Sequence, residues 1–216
     1  MKVGGIITRL FKQPSNIGEV SLRMTNNASA SVAQVEAPYL ELTRSGRRMH
    51  GGTQIIANGI APVAAIPTTA ATLALYNNDT NNNGLSLCLD WLNVFLGSGT
   101  PAAGLSLFAA VAKPTTAPTA NATGYNSGPL SGTASGSKAL WATGLTLPAT
   151  AVWSALTSTL QSGTANVGMG DNFLDLGGRI VIPPSYCLAL AILSGAGVTP
   201  LYGVSAQWAE LELDLA

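Results

Sequence analysis

The chain has 216 residues, 47% of them hydrophobic, and carries ten basic and ten acidic residues for a formal net charge of zero. That length and apolar content suffice for one large folded domain or two small ones, so a disordered tail is excluded. Charged residues make up 9% of the chain, against roughly 25% in ordinary soluble domains. So uncharged a surface protects poorly against self-association, which suggests a chain whose surface is largely occupied by other subunits.

Residues 1–33 have no sustained hydrophobic period and end in the small polar stretch "TNNASASVAQ". We expect an extended N-terminal arm over 1–33, and a single β-sandwich domain over 34–216. Alternating segments then recur between Gly, Pro, Asn and Ser clusters: 34–44, 53–66, 72–77, 85–96, 105–113, 138–147, 179–193 and 204–215. Eight such segments imply an all-β chain, an antiparallel jelly-roll-like β-sandwich. Pro62 and the pair Pro183-Pro184 should break strands, because proline donates nothing to a ladder. Between Asn77 and Asp90 the sequence reads as a hairpin-like polar connection rich in Asn and Gly.

The stretch "PTTAPTANATGYNSGPLSGTASGS" between Lys113 and Lys138 is expected to be an exposed insertion. Residues 150–163, "TAVWSALTSTLQSG", fit a helix by the spacing of Val152, Leu156 and Leu160, although their Thr and Ser content suits a strand equally. In the last segment Val204, Ala206 and Trp208 share one parity and Leu211, Leu213 and Leu215 the other. A strand of period two then needs either a bulge near Ala209 or a change of packing surface.

No run of about 18 to 20 apolar residues exists to cross a membrane as a helix, and the N-terminus meets Arg9 and Lys12 before an apolar core develops, so no signal peptide is expected. Cys88 and Cys187 each sit in an expected strand and are read as buried free thiols, with an interstrand disulfide as the alternative. Residues 1–50 hold seven basic and three acidic side chains, the remainder three basic and seven acidic. Only Arg44, Arg47 and Arg48 cluster, which argues against nucleic acid as the partner and suits solvated or interface charge.

Catalytic signals are weak. His50 is the single histidine and is read as a turn residue before Gly51-Gly52, and no G-x-S-x-G motif exists. Asp171, Asp175, Glu210 and Glu212 offer carboxylates for glycoside hydrolysis, but Glu210, Glu212 and Asp214 alternate along one strand as a charged edge would. Asp79, Asn81, Asn83 and Asp90 match the spacing of a calcium loop. A strand starting near Gly84 would carry Asp90 about 20 Å away and defeat coordination. The sequons at Asn27, Asn78 and Asn121 are expected by chance in so Asn- and Thr-rich a chain. No catalytic residue, cofactor or metal is assigned.

The carboxy-terminal "LGGRIVIPPSYCLALAILSGAGVTPLYGVSAQWAELEL", Leu176 to Leu213, carries the most specific pattern: a Gly-Gly turn, an apolar strand, a proline break, a second apolar strand, a Gly-rich turn and a final strand with Trp and Glu. It resembles the closing strands of C1q-like trimeric jelly rolls and of jelly-roll virion proteins of tailed bacteriophages. That resemblance implies a non-enzymatic capsid protein of the cement or decoration type, located in the virion and made in the host cytoplasm. Its partners would be itself, as a homotrimer, and a major capsid protein. Interface residues would be Arg44, Arg47 and Arg48 toward an acidic surface, and Trp208, Leu211, Leu213 and Leu215 for packing. A small jelly-roll capsid protein is one alternative. The other is a carbohydrate- or receptor-binding fibre module stacking sugars on Trp91, Trp141, Trp153 or Tyr125.

Overall fold

In the computed structural model, residues 21–24, 30–33, 42–80, 84–100, 105–131, 136–159, 172–194 and 198–213 are described. A first pair of short strands, Ser21–Met24 (β1) and Ala30–Ala33 (β2), is antiparallel and forms a two-stranded sheet of its own. Ten strands follow: Arg48–Thr53 (β3), Ala70–Asn77 (β4), Leu85–Thr100 (β5), Leu105–Ala112 (β6), Tyr125–Pro129 (β7), Ala139–Thr146 (β8), Ser154–Thr159 (β9), Asn172–Ile182 (β10), Cys187–Ser194 (β11) and Val198–Glu212 (β12). They form two five-stranded sheets, ordered β10-β5-β12-β3-β7 and β8-β4-β11-β6-β9, with every ladder antiparallel. The chain is thus an all-β antiparallel sandwich.

Among the described residues from β3 onward, no strand pairs with its neighbour in sequence. The pairs nest instead: β3 with β12, β4 with β11, β5 with β10 and β6 with β9, while β7 and β8 extend one edge of each sheet.

The core follows from strand period. On the first sheet Leu87, Leu89, Leu92, Val94, Val204, Ala206 and Trp208 are buried; on the second, Leu73, Leu75, Leu188, Leu190, Ile192 and Trp141 meet them in one cluster. Cys187 and Ala189 alternate with the core residues of β11, so they face the opposite side, where they join Ala74, Tyr76, Ala112 and Ala142 in a second cluster flanked by Ala151 and Trp153. Covered on both faces, β11 reads as a continuous apolar run, as central strands do. Both cysteines are free, and burial pushes the Cys187 thiol up to about 12, against a smaller lowering by a hydrogen bond from the Ala112 backbone.

Several expectations are revised. Residues 42–44 are a helical turn rather than the end of a strand, and 34–41 lie outside the described residues. The 53–66 segment is mostly irregular, with a 3-10 turn at Ile56–Asn58, and the strand lies just before it. His50 therefore sits within β3, opposite Gln207 and Gly128, and not in a turn. Gly52, two residues on, has φ +154°, and a Cβ there would run into the Val204 carbonyl of β12. The segment fitting a helix contains strand β9, which pairs with β6, and the expected insertion contributes β7. Pro183-Pro184 does end β10: Tyr186 N–H donates to Pro183 O at 3.1 Å, with Ser185 at φ 66°, as in a type II turn.

The Asn-rich stretch after β4 crosses to the other sheet instead of closing a hairpin. Asn77, wholly buried, donates from Nδ2 to the carbonyls of Leu85 (2.7 Å) and Ile182 (3.0 Å) and accepts from Asp79 N–H (3.1 Å). Asp79 then accepts from Leu85 N–H at 3.1 Å. One amide thus fastens β4, β5 and β10 at one end of the sandwich.

Of the arm expected over 1–33, residues 1–20 and 25–29 lie outside the described residues, and the two short strands are a local structure that composition does not suggest. Among the described residues no helix is long and apolar enough to cross a membrane.

Candidate functional site on the outer face of the first sheet

Strand β5 carries two phases of burial: Leu87 and Leu89 face the core, and so do Leu92 and Val94, one residue out of step. The chain resolves this with a bulge. Gln207 pairs with Trp91 and Trp208 with Leu89, leaving Asp90 as the extra residue. A bulge re-aims a side chain, and here Asp90 accepts from Arg48 Nε at 3.0 Å. The other end of the guanidinium, Nη2, donates to Gln207 Oε1 at 2.7 Å, and Trp91 Nε1 donates to the same oxygen at 2.8 Å. Side chains from β3, β5 and β12 are thereby locked together.

The electrostatics follow from this partial burial. Burial raises the Asp90 carboxyl above its ordinary value, the Arg48 charge and hydrogen bond lower it, and the nearby Asp175 carboxylate raises it. The Cys88 thiol, two residues before Asp90 on the same strand, is raised by burial and then by the Asp90 charge.

Register places the neighbours in rows across the outer face. Asp175, Trp91, Gln207 and His50 form one row, and Phe173, Asn93, Ser205 and Gly52 the next. The Trp91 and Phe173 rings lie 5.5 Å apart at 38°. Phe95, two residues beyond Asn93, covers Gly203 with its ring.

The residues expected at an interface are dispersed. Arg44 is exposed in the helical turn and Arg47 is exposed 4.0 Å from Glu212, whereas Arg48 is taken up by Asp90 and Gln207. The three arginines therefore do not present one basic patch. Trp208 is fully buried in the main core and so packs within the chain, not against a neighbour. Leu211 and Leu213 are half-buried on the opposite parity, and Leu215 lies outside the described residues. Within β12 the parity of Val204, Ala206 and Trp208 continues to Glu210, and the ladder irregularity near Ala209, between Gln207 and Trp208, is taken up by an extra residue on β5.

That phase carries Glu210 inward too. It is 3% exposed and accepts from Ser137 Oγ (2.7 Å), Lys138 N–H (2.8 Å) and Trp208 Nε1 (3.4 Å), which corrects the reading of Glu210 as part of an exposed acidic edge.

Asp79 and Asp90, the ends of the calcium-type spacing, are each turned to other partners, Leu85 N–H and Arg48, and Asn81 and Asn83 lie outside the described residues. Among the described residues no group of three His, Cys, Asp or Glu side chains is placed to hold a metal. The Arg48–Asp90–Gln207–Trp91 network was not anticipated from the sequence; the slip from Leu87/Leu89 to Leu92/Val94 is the signal that marks its bulge. Comparison with known proteins adds no kinship, since no family model matches the chain and no curated protein or solved structure matches it either.

Proposed function

We propose that this chain is a non-enzymatic structural protein of a virion. It is a jelly-roll subunit that associates with copies of itself as a homotrimer and sits on a phage capsid, against a major capsid protein, as a cement or decoration protein. The observation that carries this reading is the nested pairing of β3 with β12, β4 with β11, β5 with β10 and β6 with β9. A long antiparallel ribbon rolled into two sheets pairs its strands in this order, as jelly rolls of shells do. Two further features support it. The chain is only 9% charged, which favours association over a free monomer. Trp141 is fully buried, which counts against a sugar platform built from Trp91, Trp141 and Trp153 in a fibre module.

Sedimentation velocity tests the reading. The expected species has about three times the 21.9 kDa chain mass and persists on dilution through the micromolar range. A compact monomer at every concentration would overturn it.

A further inference from the structure

We propose that the outer face of the first sheet is a carbohydrate-binding surface, taking an uncharged oligosaccharide across Trp91 and Phe173. This inference stands on the geometry of that face and does not depend on the virion reading. Its first element is the aromatic platform. Phe173 is 57% exposed and its ring stands beside that of half-buried Trp91 at 5.5 Å. The indole N–H is already committed to Gln207 Oε1, an oxygen that Arg48 also engages and that Asp90 holds in place through Arg48. What Trp91 has left to offer a ligand is its π-face, held in a fixed orientation. Sugar rings present C–H groups on one face, and these stack on aromatic faces with little loss of ring freedom.

The second element is the polar surround. Asp175 lies beside Trp91 in register, Asn93 beside Phe173, and Ser205 beside Asn93. The Asp175 carboxylate and the Ser205 hydroxyl can exchange hydrogen bonds with the equatorial hydroxyls of a stacked sugar, whereas the Asn93 Oδ1 is buried beneath them. Their charge selects the class of ligand. Arg48 is neutralised by Asp90, and the exposed Asp175 carboxylate has the Arg179 guanidinium close by, donating to the Leu176 and Asp175 carbonyls, so the face is near charge balance and fits a neutral glycan.

The full chain is run by native affinity electrophoresis through gels holding dextran, galactomannan, xyloglucan or a soluble β-1,3-glucan, and the retarding polysaccharide is then titrated while Trp fluorescence is followed. Retardation in at least one gel is expected, with a fluorescence change at saturation. Phe173→Ala and Trp91→Ala should each weaken binding by about tenfold, the worth of one stacking contact, while Trp91→Phe retains part of it. Phe173 is exposed, so its variant keeps the fold, as circular dichroism would verify. Unchanged mobility of the wild type in all four gels overturns the proposal, as does wild-type affinity in Phe173→Ala. Loss of self-association in Phe173→Ala without any glycan retardation also overturns it, by making the face a protein interface.

Discussion

Replacing Asn77 with Ala should be among the most costly single changes available to this fold. Asn77 is wholly buried and makes three side-chain hydrogen bonds, two as donor to the Leu85 and Ile182 carbonyls and one as acceptor from Asp79 N–H. Each such bond contributes about 1 kcal/mol net, and a buried partner left unpaired costs about 1 to 3 kcal/mol. Truncation strands three backbone groups, so we expect a loss of about 3 to 5 kcal/mol by that reckoning. Asn77→Asp should cost more at neutral pH despite its identical shape, because an anionic oxygen would replace the amide donor and face two carbonyl oxygens. Burial and those carbonyls would hold the new carboxyl's pKa above its unfolded value. The native state then binds the proton more tightly, and the deficit shrinks as pH falls through the folded pKa. Urea unfolding followed by the fluorescence of buried Trp141 and Trp208 gives both numbers at pH 7 and pH 4. A cost below about 1 kcal/mol for the alanine variant, the worth of a single exposed bond, would refute the assignment of Asn77 as the fastening between β4, β5 and β10. So would an aspartate variant as stable as the wild type at pH 7.

Cys187 should make the fold sensitive to alkali: its folded value near 12 lies above the unfolded 9.0, so the unfolded thiol ionises first and stability falls as pH rises above 9. The slope approaches about 1.4 kcal/mol per pH unit as pH rises past 9, and Cys187→Ala should flatten the pH dependence of the urea-unfolding free energy between pH 9 and 10.5 by up to that amount; equal slopes would count against it. Arg48→Met leaves the largely buried Asp90 carboxylate without its counter-charge and should cost about 2 kcal/mol, whereas the same change in an Asp90→Asn background should cost about half as much. A double-mutant cycle on thermal unfolding measures the difference, and additive effects would mean that the pair is uncoupled.

How much of this was legible depended on whether burial and period coincided. Segments 72–77, 85–96, 105–113 and 138–147 alternate because one face of each strand meets the core, and Pro183-Pro184 ends β10 because proline removes ladder donors. Strand β3, "RMHGGT", escaped the pattern because Gly51 and Gly52 have no side chain to alternate. They are required there by the close approach of neighbouring strands, since a Cβ on Gly51 would run into β7 and one on Gly52 into the Val204 carbonyl. The 53–66 segment erred the other way: its alternation is genuine, yet Ile55 and Ile66 remain exposed in an irregular connection. Residues 150–163 satisfied two periods at once, and pairing with β6 settled 154–159 as strand. Glu210 looked like an exposed edge charge because its burial depends on Ser137 and Lys138, more than seventy residues earlier in the chain.

An all-β chain with few charges, and with a strand ending at Pro183-Pro184, can be read from the residues alone, while the state of the two cysteines stayed open between free thiols and a disulfide. Those properties follow from local backbone chemistry and from the sum of side-chain polarity, which need no partner to be specified. The tertiary structure alone decided which strands pair, since among the described residues no strand of the sandwich lies beside its sequence neighbour. It also decided that Asp90 is a bulge held by Arg48, and that Trp91 and Phe173 share an outer face. Register between distant strands sets these relations, and a period of two residues cannot encode which distant strand is the partner.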